Sequence, residues 1–446
     1  VNDHLVRDHK DDSVNRRIID LALPALGALV AEPLFLMADS AVIGHVGTPH
    51  LAGLGVASTV MLTATGLFVF LAYATTASSA RRMGSGDRAG AAAAGVDGLW
   101  LSVLLGVVVA AVIVVPAEAV AHLFGAQGRA AEYAAQYLRI AGLGVPAMLA
   151  SMAITGVLRG FQDTRTPLVA TVLGFTGNLV LDLVFVLGFG WGVRGSAAAS
   201  LVCQIAMAVG LVAVFVMRTR HLGLSLAFRP AGVMGSLADG VPLLVRTLAL
   251  RGALVATTWV AARLGEVPMA SYQVTTTVWG FLTMVLDALG IAGQALTGTA
   301  LGAGDAKEAR RLTTTMTRWG LWSGVVLGLV LLAVHTVLPM AFSPDPQVRH
   351  AVAAGLVVVA VLQPLCGPVF VMDGVLIGAG DGRWLAGAQV VMLVVYLPMI
   401  AVVHMAGPAG VAAVVWLWVA FGAFMAVRGL LLGWRAKGDR WMRLGV

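Results

Sequence analysis

The sequence predicts an all-α polytopic membrane protein, with twelve transmembrane helices in two pseudo-symmetric six-helix bundles. Three observations carry this expectation. Of the 446 residues, 59% are hydrophobic and only 11% charged, and the mean hydropathy is +0.91. That is too little charge to cover a soluble protein of this length. Lysine and arginine are distributed unequally between alternate loops, and the chain matches itself at a constant offset of 218 residues.

Apolar runs long enough to cross a hydrocarbon core of about 30 Å, bounded by Gly, Pro and charge, define the helices. In order they are expected at 18–43, 54–79, 96–116, 138–158, 167–189, 195–217, 238–262, 271–299, 319–341, 352–377, 385–405 and 409–431. Residues 1–17 form a polar N-terminal tail without the apolar core of a cleavable signal, so the first helix is expected to serve as an uncleaved insertion signal. The expected lobes are 18–217 and 238–431, joined by a linker at 218–237 and followed by a tail at 432–446.

The N-terminus, even-numbered loops and C-terminus hold 22 of the 29 lysines and arginines, whereas the odd-numbered loops hold five, Arg129, Arg139, Arg194, Arg263 and Arg349. By the positive-inside rule both termini are cytoplasmic, as in a bacterial-type inner membrane. The same distribution explains the pI near 10 without nucleic acid, because the basic residues sit in short clusters between apolar spans. Cys203 and Cys366 fall within apolar stretches and read as small buried hydrophobes.

The internal match is gapless. Pro24 meets Pro242, Gly47 meets Gly265, GSGD (Gly84 to Asp87) meets GAGD (Gly302 to Asp305), and Pro146 meets Pro364. TGVLRGFQDTR (Thr155 to Arg165) meets DGVLIGAGDGR (Asp373 to Arg383), and Gly192-Val193 meets Gly410-Val411. Six helices per repeat give both halves the same orientation in the bilayer. Two parallel lobes related by an axis along the membrane normal imply a cleft between them, as in alternating-access transporters.

Residues present in only one repeat are candidates for specific chemistry. Asp39 corresponds to Thr257, Asn178 to Tyr396 and Asp182 to Ile400. Asp39, Asp182 and Ser200 lie at similar depths, roughly 7–10 Å below the external interface at 1.5 Å per residue. Asn178 and Asp182 are four apart and share a helix face. Two carboxylates close together in low dielectric cannot easily both ionise, so such a cluster would carry a proton or bind a small hard cation such as Na⁺. Glu32, Phe35 and Met37 on the first helix are candidates to line the cleft. Pro24 and Pro33 each remove a backbone donor, letting that helix bend.

The second repeat has Asp287 and Asp373, with Arg246 and Arg251 in its first helix as possible partners. A paired carboxylate is held ionised, which suits structure or substrate contact better than proton carriage. Asp287 and Arg251 also remain cleft candidates. The GxG stretches at 84–86 and 302–304 lack a following GK[ST], and there is no HExxH, nucleophile elbow or Cys/His cluster. No cofactor or enzymatic activity is expected.

The Pro24, Asp39, Gly44, Gly47 pattern and the segments Gly156 to Arg165 and Gly374 to Arg383 resemble the multidrug and toxic compound extrusion (MATE) family. LDALGIAGQALTGTALGAGD (Leu286 to Asp305) and the Asn178/Asp182 pair are similar to its DinF-like branch. The resemblance implies a V-shaped pair of bundles exporting organic, often cationic compounds in exchange for H⁺ or Na⁺. It gives Asp39, Asn178 and Asp182 the cation-coupling role, with Ser200 where a threonine is often found. The NorM-like branch instead relies on an acid in helix 7, where this chain has arginines and, at the start, Asp239. Expected partners are a small organic molecule and the bilayer, with the monomer as the working unit. A lipid-linked precursor flippase of the same superfold, and a non-transporting membrane receptor or assembly protein, are the alternatives.

Overall fold

A computed structural model describes the backbone of residues 2–445 and the side chains of residues 13–445. Among them are twelve helical spans long and apolar enough to cross a membrane. They are α1 (Ser13–Gly44), α2 (Thr48–Gly84), α3 (Arg88–Val114), α4 (Gly128–Gly160), α5 (Arg165–Gly188), α6 (Gly192–Leu222), α7 (Pro230–Arg263), α8 (Glu266–Gly302), α9 (Ala306–Val334), α10 (Pro346–Gly378), α11 (Gly382–Ala406) and α12 (Gly410–Lys437). The expected twelve-helix, all-α class is therefore the observed one.

The helices outrun their apolar cores. The polar N-terminus continues the first helix back to Asn2, with Pro24 and Pro33 both inside it. The side chains of Arg7 and Lys10, part of the basic N-terminus, lie outside the described ones. The second span breaks at Phe68 and Val69, and the fourth tightens through a 3₁₀ turn at Gly142–Gly144. A short helix, Ala117–Leu123, precedes α4. Both GxGD turns cap the helix that follows: Asp87 accepts from Gly90 N–H at 2.8 Å and Asp305 from Glu308 N–H at 2.9 Å. The glycines before them sit at φ 82° and 76°, where a side chain would be strained.

The chain divides into two compact units, Leu23–Gly240 and Val241–Val446, the latter joined by Val1–Ala22. The two starting points, Leu23 and Val241, are related by the repeat offset, and each precedes a proline, Pro24 or Pro242. Within the first unit, α3, α4 and α6 share a core of Val96, Ile154, Val157, Leu158, Leu211 and Phe215. α2 and α4 approach so closely that a Cβ on Gly156 would lie 2.1 Å from Thr75 Oγ1, and Thr75 donates to Ala153 C=O at 3.0 Å. Small residues of this kind let membrane helices pack backbone to backbone. The segment before α7 is strapped to α3. Arg229 grips Asp97 with two hydrogen bonds, at 2.6 and 3.1 Å, while Trp100 Nε1 donates to Leu226 C=O at 2.9 Å.

In the second unit, glycines again set the spacing. A Cβ on Gly374 or Gly378 of α10 would lie 2.2 Å from the backbone oxygen of Gly290 or Gln294 in α8. Trp319 of α9 donates to Asn15 Oδ1 at 2.9 Å.

Candidate functional site

The first unit gathers six buried polar residues at one place. Asp39 lies five residues before the end of α1. Asp182 sits where the α-helix of α5 gives way to the π-turn Leu183–Gly188, a departure that recurs at functional sites. Asn178 is one turn earlier on α5. Ser196 and Ser200 are one turn apart on α6, which starts at Gly192, so Ser200 lies deeper in its helix than the sequence suggested.

These side chains form one connected network. Ser196 donates to Asp39 Oδ1 at 2.8 Å. The Asp39 and Asp182 carboxyls are within hydrogen-bonding reach of each other. With its nitrogen facing the carboxylate, the Asn178 amide donates to Asp182 Oδ2 at 2.7 Å. Its oxygen then accepts from the Ser200 hydroxyl at 3.2 Å and from Ser200 N–H at 2.9 Å. This orientation satisfies both ends of the amide, whereas the opposite one sets oxygen against oxygen. Tyr137 of α4 closes the series, its hydroxyl 3.2 Å from that of Ser200.

Asp182 is 0% and Asp39 2% exposed, and the other four residues are also buried. Among the described residues neither acid is in an ion pair, and Asp182 Oδ1 receives no donor. Two acids thus lie within reach of each other in a buried place without a base. Such a pair holds a shared proton far more cheaply than two negative charges. No group of three or more His, Cys, Asp or Glu side chains able to hold a metal occurs among the described residues.

The three residues picked out by sequence asymmetry, Asp39, Asn178 and Asp182, and Ser200, picked out by its depth, are therefore brought together. Ser196 and Tyr137 were missed. Their repeat counterparts are Val414 and Gly355, so the same asymmetry test, extended to the fourth and sixth helices, marks both. The cleft candidates lie outside this network. Phe35 stacks on Phe175 of α5, centroids 4.8 Å apart and planes within 6°. Glu32 and Met37 are exposed on α1, Glu32 two turns before the buried Asp39 on the same side of the helix and Met37 on another side. Asp287, half-buried, and Arg251, exposed, belong to the second unit.

That unit has a different interior. At the positions matching Asp39 and Asn178, Thr257 and Tyr396 share a 2.6 Å hydroxyl–hydroxyl hydrogen bond. Elsewhere in it Arg246 of α7 pairs with Asp373 of α10 through Nη2 and through Nε at 3.2 Å. Arg428 of α12 reaches the same carboxylate at 3.2 Å. Asp287 acts on Arg428 electrostatically. Arg428, not Arg251, is the second partner, a contact that spacing within helix 7 alone did not suggest.

The sequence and fold find relatives at full length. A family model described as MatE matches residues 24–184 and again 242–403, two copies in register with the internal repeat. Protein DETOXIFICATION 44, chloroplastic, from Arabidopsis thaliana is 32% identical over 96% of this chain and 84% of its own. DNA damage-inducible protein F from Escherichia coli is 27% identical over 95% and 92%. A crystal structure of a MATE protein in a bent conformation superposes with TM-score 0.86 at 22% identity, covering 95% of this chain and 96% of that one. With its two matched repeats and its twelve helices, the chain belongs to the MatE family, the multidrug and toxic compound extrusion transporters, and is a multi-pass secondary transporter of small molecules and not an enzyme.

Proposed function

We propose that this transporter is an antiporter of the DinF-like branch. It exports organic, often cationic compounds in exchange for H⁺ across a bacterial-type plasma membrane, with both termini cytoplasmic. The observation that carries the reading is the buried Asp39–Asp182 pair, within mutual hydrogen-bonding reach and without a neutralising base. A proton entering the pair cancels one charge, and its departure restores the repulsion. A two-state arrangement of α1 and α5 can convert that difference into alternating access.

H⁺ is the coupling ion we favour, because one shared proton removes the repulsion between two buried acids. The branch assignment is supported by the helix 5 pair and by the full-length match to DNA damage-inducible protein F.

The test is efflux from liposomes reconstituted with the full chain, driven by an imposed pH or Na⁺ gradient. Asp39→Asn and Asp182→Asn are expected to insert normally and to abolish gradient-driven export. Export that responds to ΔNa⁺ at constant pH would transfer the coupling to Na⁺. Full efflux by both variants with wild-type pH dependence would sink the assignment altogether.

A further inference from the structure

A histidine roofs the carboxylate cluster. His50 sits in the first turn of α2, and its half-buried ring stacks on Tyr133 of α4, with centroids 3.9 Å and planes 24° apart. The ring also lies against the start of α6, where a Cβ built on Gly192 would be 3.6 Å from His50 Cδ2 and 3.8 Å from Nε2. Tyr133 is one turn from Tyr137 on α4, and Gly192 is one turn from Ser196 on α6. Tyr137 and Ser196 are members of the buried network. His50 therefore stands one helical turn, about 5.4 Å, beyond those hydroxyls on two helices at once. One water molecule bridges such a gap.

The rest of the roof is apolar. Ile43, one turn past Asp39 on α1, is 0% exposed, and Val46 Cγ1 would lie 4.0 Å from the same Cβ on Gly192. The internal repeat supplies a second argument. Pro268 and Ala351 stand where the first unit has His50 and Tyr133, so the ring pair, like the acids beneath it, belongs to one repeat alone.

The charged groups on the elements packed around His50 mostly engage one another. Arg139 of α4 pairs with Glu118 of the short helix before it at 2.9 Å. Gln136 donates to Glu132 at 3.2 Å and accepts from Arg194 of α6 at 3.1 Å, and Arg129 is exposed. Two further histidines lie at this end of the unit. His45 Nδ1 is 2.7 Å from Ala41 C=O, and His122 Nδ1 is 3.0 Å from Ala126 C=O. Of the three, only His50 has a buried ring nitrogen without a hydrogen-bond partner among the described residues. A neutral imidazole has one donor and one acceptor nitrogen, so it can take a proton on one side and release one from the other.

We propose that His50 is the relay through which external protons reach the Asp39–Asp182 pair, an inference that rests on the H⁺-coupled reading and its orientation in the membrane. The ring accepts a proton from external water on one nitrogen. It gives one up from the other, through a bridging water, to an ionised carboxylate of the pair. The imidazole ends neutral and the pair gains one H⁺. His50 is a positioning residue for the proton and not a member of the coupling site. It sets how fast the pair is loaded, not how tightly the pair holds its proton.

The test follows the proton itself. Purified full-length protein in detergent is acidified by rapid mixing, and the infrared band of the protonated carboxyl is recorded, assigned with Asp39→Asn and Asp182→Asn. His50→Phe keeps a ring against Tyr133 but carries no proton. It should slow loading about tenfold or more while leaving the final band amplitude and the thermal midpoint unchanged. His50→Ala should be slowed likewise and should be accelerated again by imidazole in the buffer. His50→Phe, with the space filled, should not respond to imidazole. His45→Gln, on an exposed neighbour, should load at the wild-type rate. Should His50→Phe fold poorly, His50→Gln removes the relay with a smaller change. A wild-type loading rate in either variant, or a slowed His50→Ala that imidazole does not rescue, would overturn the relay and leave the acid pair standing. A wild type without a titrating carboxyl band would instead overturn the coupling reading, and the relay with it.

Discussion

Ser196 touches the carboxylate pair directly, and the size of that contact is open to measurement. Its hydroxyl donates to Asp39 at 2.8 Å in a fully buried place, and hydrogen bonds to charged groups contribute about 1.5–3 kcal/mol. Ser196→Ala is therefore expected to slow reconstituted export about tenfold or more, with Ser196→Thr restoring most of it. A wild-type rate in the alanine variant would remove Ser196 from the site. At this scale the sequence was informative where one repeat carried a carboxylate or amide that the other lacked, as at Asp39, Asn178 and Asp182. Asp39 stood out because carboxylates are scarce in apolar helices. Ser196 did not, because serine is unremarkable there and small residues crowd the start of the sixth helix. Tyr137 was hidden differently, since it falls just before the apolar run from which the fourth helix was read.

Elements show the same split between what hydropathy reveals and what only packing reveals. The fourth span begins at Gly128 and not near 138, because its first turns carry Arg129, Glu132, Gln136 and Arg139 on one face. An amphipathic start is invisible to a count of apolar residues. The repeated segments ending in Asp-x-Arg were legible as a duplication, but their purpose was not. Asp163 accepts from Thr166 N–H at 3.0 Å and Thr166 Oγ1 at 2.5 Å, and it binds Arg218 at the far end of α6. Asp381 does the same with Arg435 of α12, at 2.6 and 3.0 Å. Each repeat thus ties the loop after its fourth helix to the end of its sixth. The arginine shifts register by one residue between repeats, so no fixed spacing betrays it. Burial opposes ionisation of Asp163, but the Thr166 hydrogen bonds and the Arg218 guanidinium outweigh it and hold its pKa below the usual carboxylate value. A depressed folded-state value means stability that is present above the unfolded value, near 3.9, and lost as pH falls through the folded one. Asp163→Asn is expected to cost about 1 kcal/mol at pH 7, since the pair is partly solvated. Thermal unfolding curves of wild type and variant in detergent should converge below about pH 4. A difference that persists at low pH would mean that the carboxylate charge is not what anchors this loop.

At the scale of the whole molecule, the two units have exchanged chemistry position by position. Where the first has Asp39 and Asn178, the second has Thr257 and Tyr396 joined by a neutral hydrogen bond. Where the second has Arg246, Asp373 and Arg428, the first has Ala28, Thr155 and Gly210 at the equivalent places. The first unit's buried cluster therefore holds two acids without a base, and the second's holds an acid between two bases. Physically these are opposite devices. Removing a carboxylate charge from the first relieves a buried repulsion, so Asp39→Asn should leave the fold intact. Removing it from the second strands two arginines that are 3–6% exposed, and breaking such a buried pair typically costs about 3–5 kcal/mol. Asp373→Asn should accordingly give low yields of monodisperse protein and a lowered thermal midpoint. Any folded fraction should keep the pH dependence of export. Replacing all three members with apolar residues of similar volume should recover much of the lost stability. If Asp373→Asn instead folds as the wild type does and alters the pH response, the second unit takes part in ion coupling. The division of labour between the repeats would then have to be redrawn.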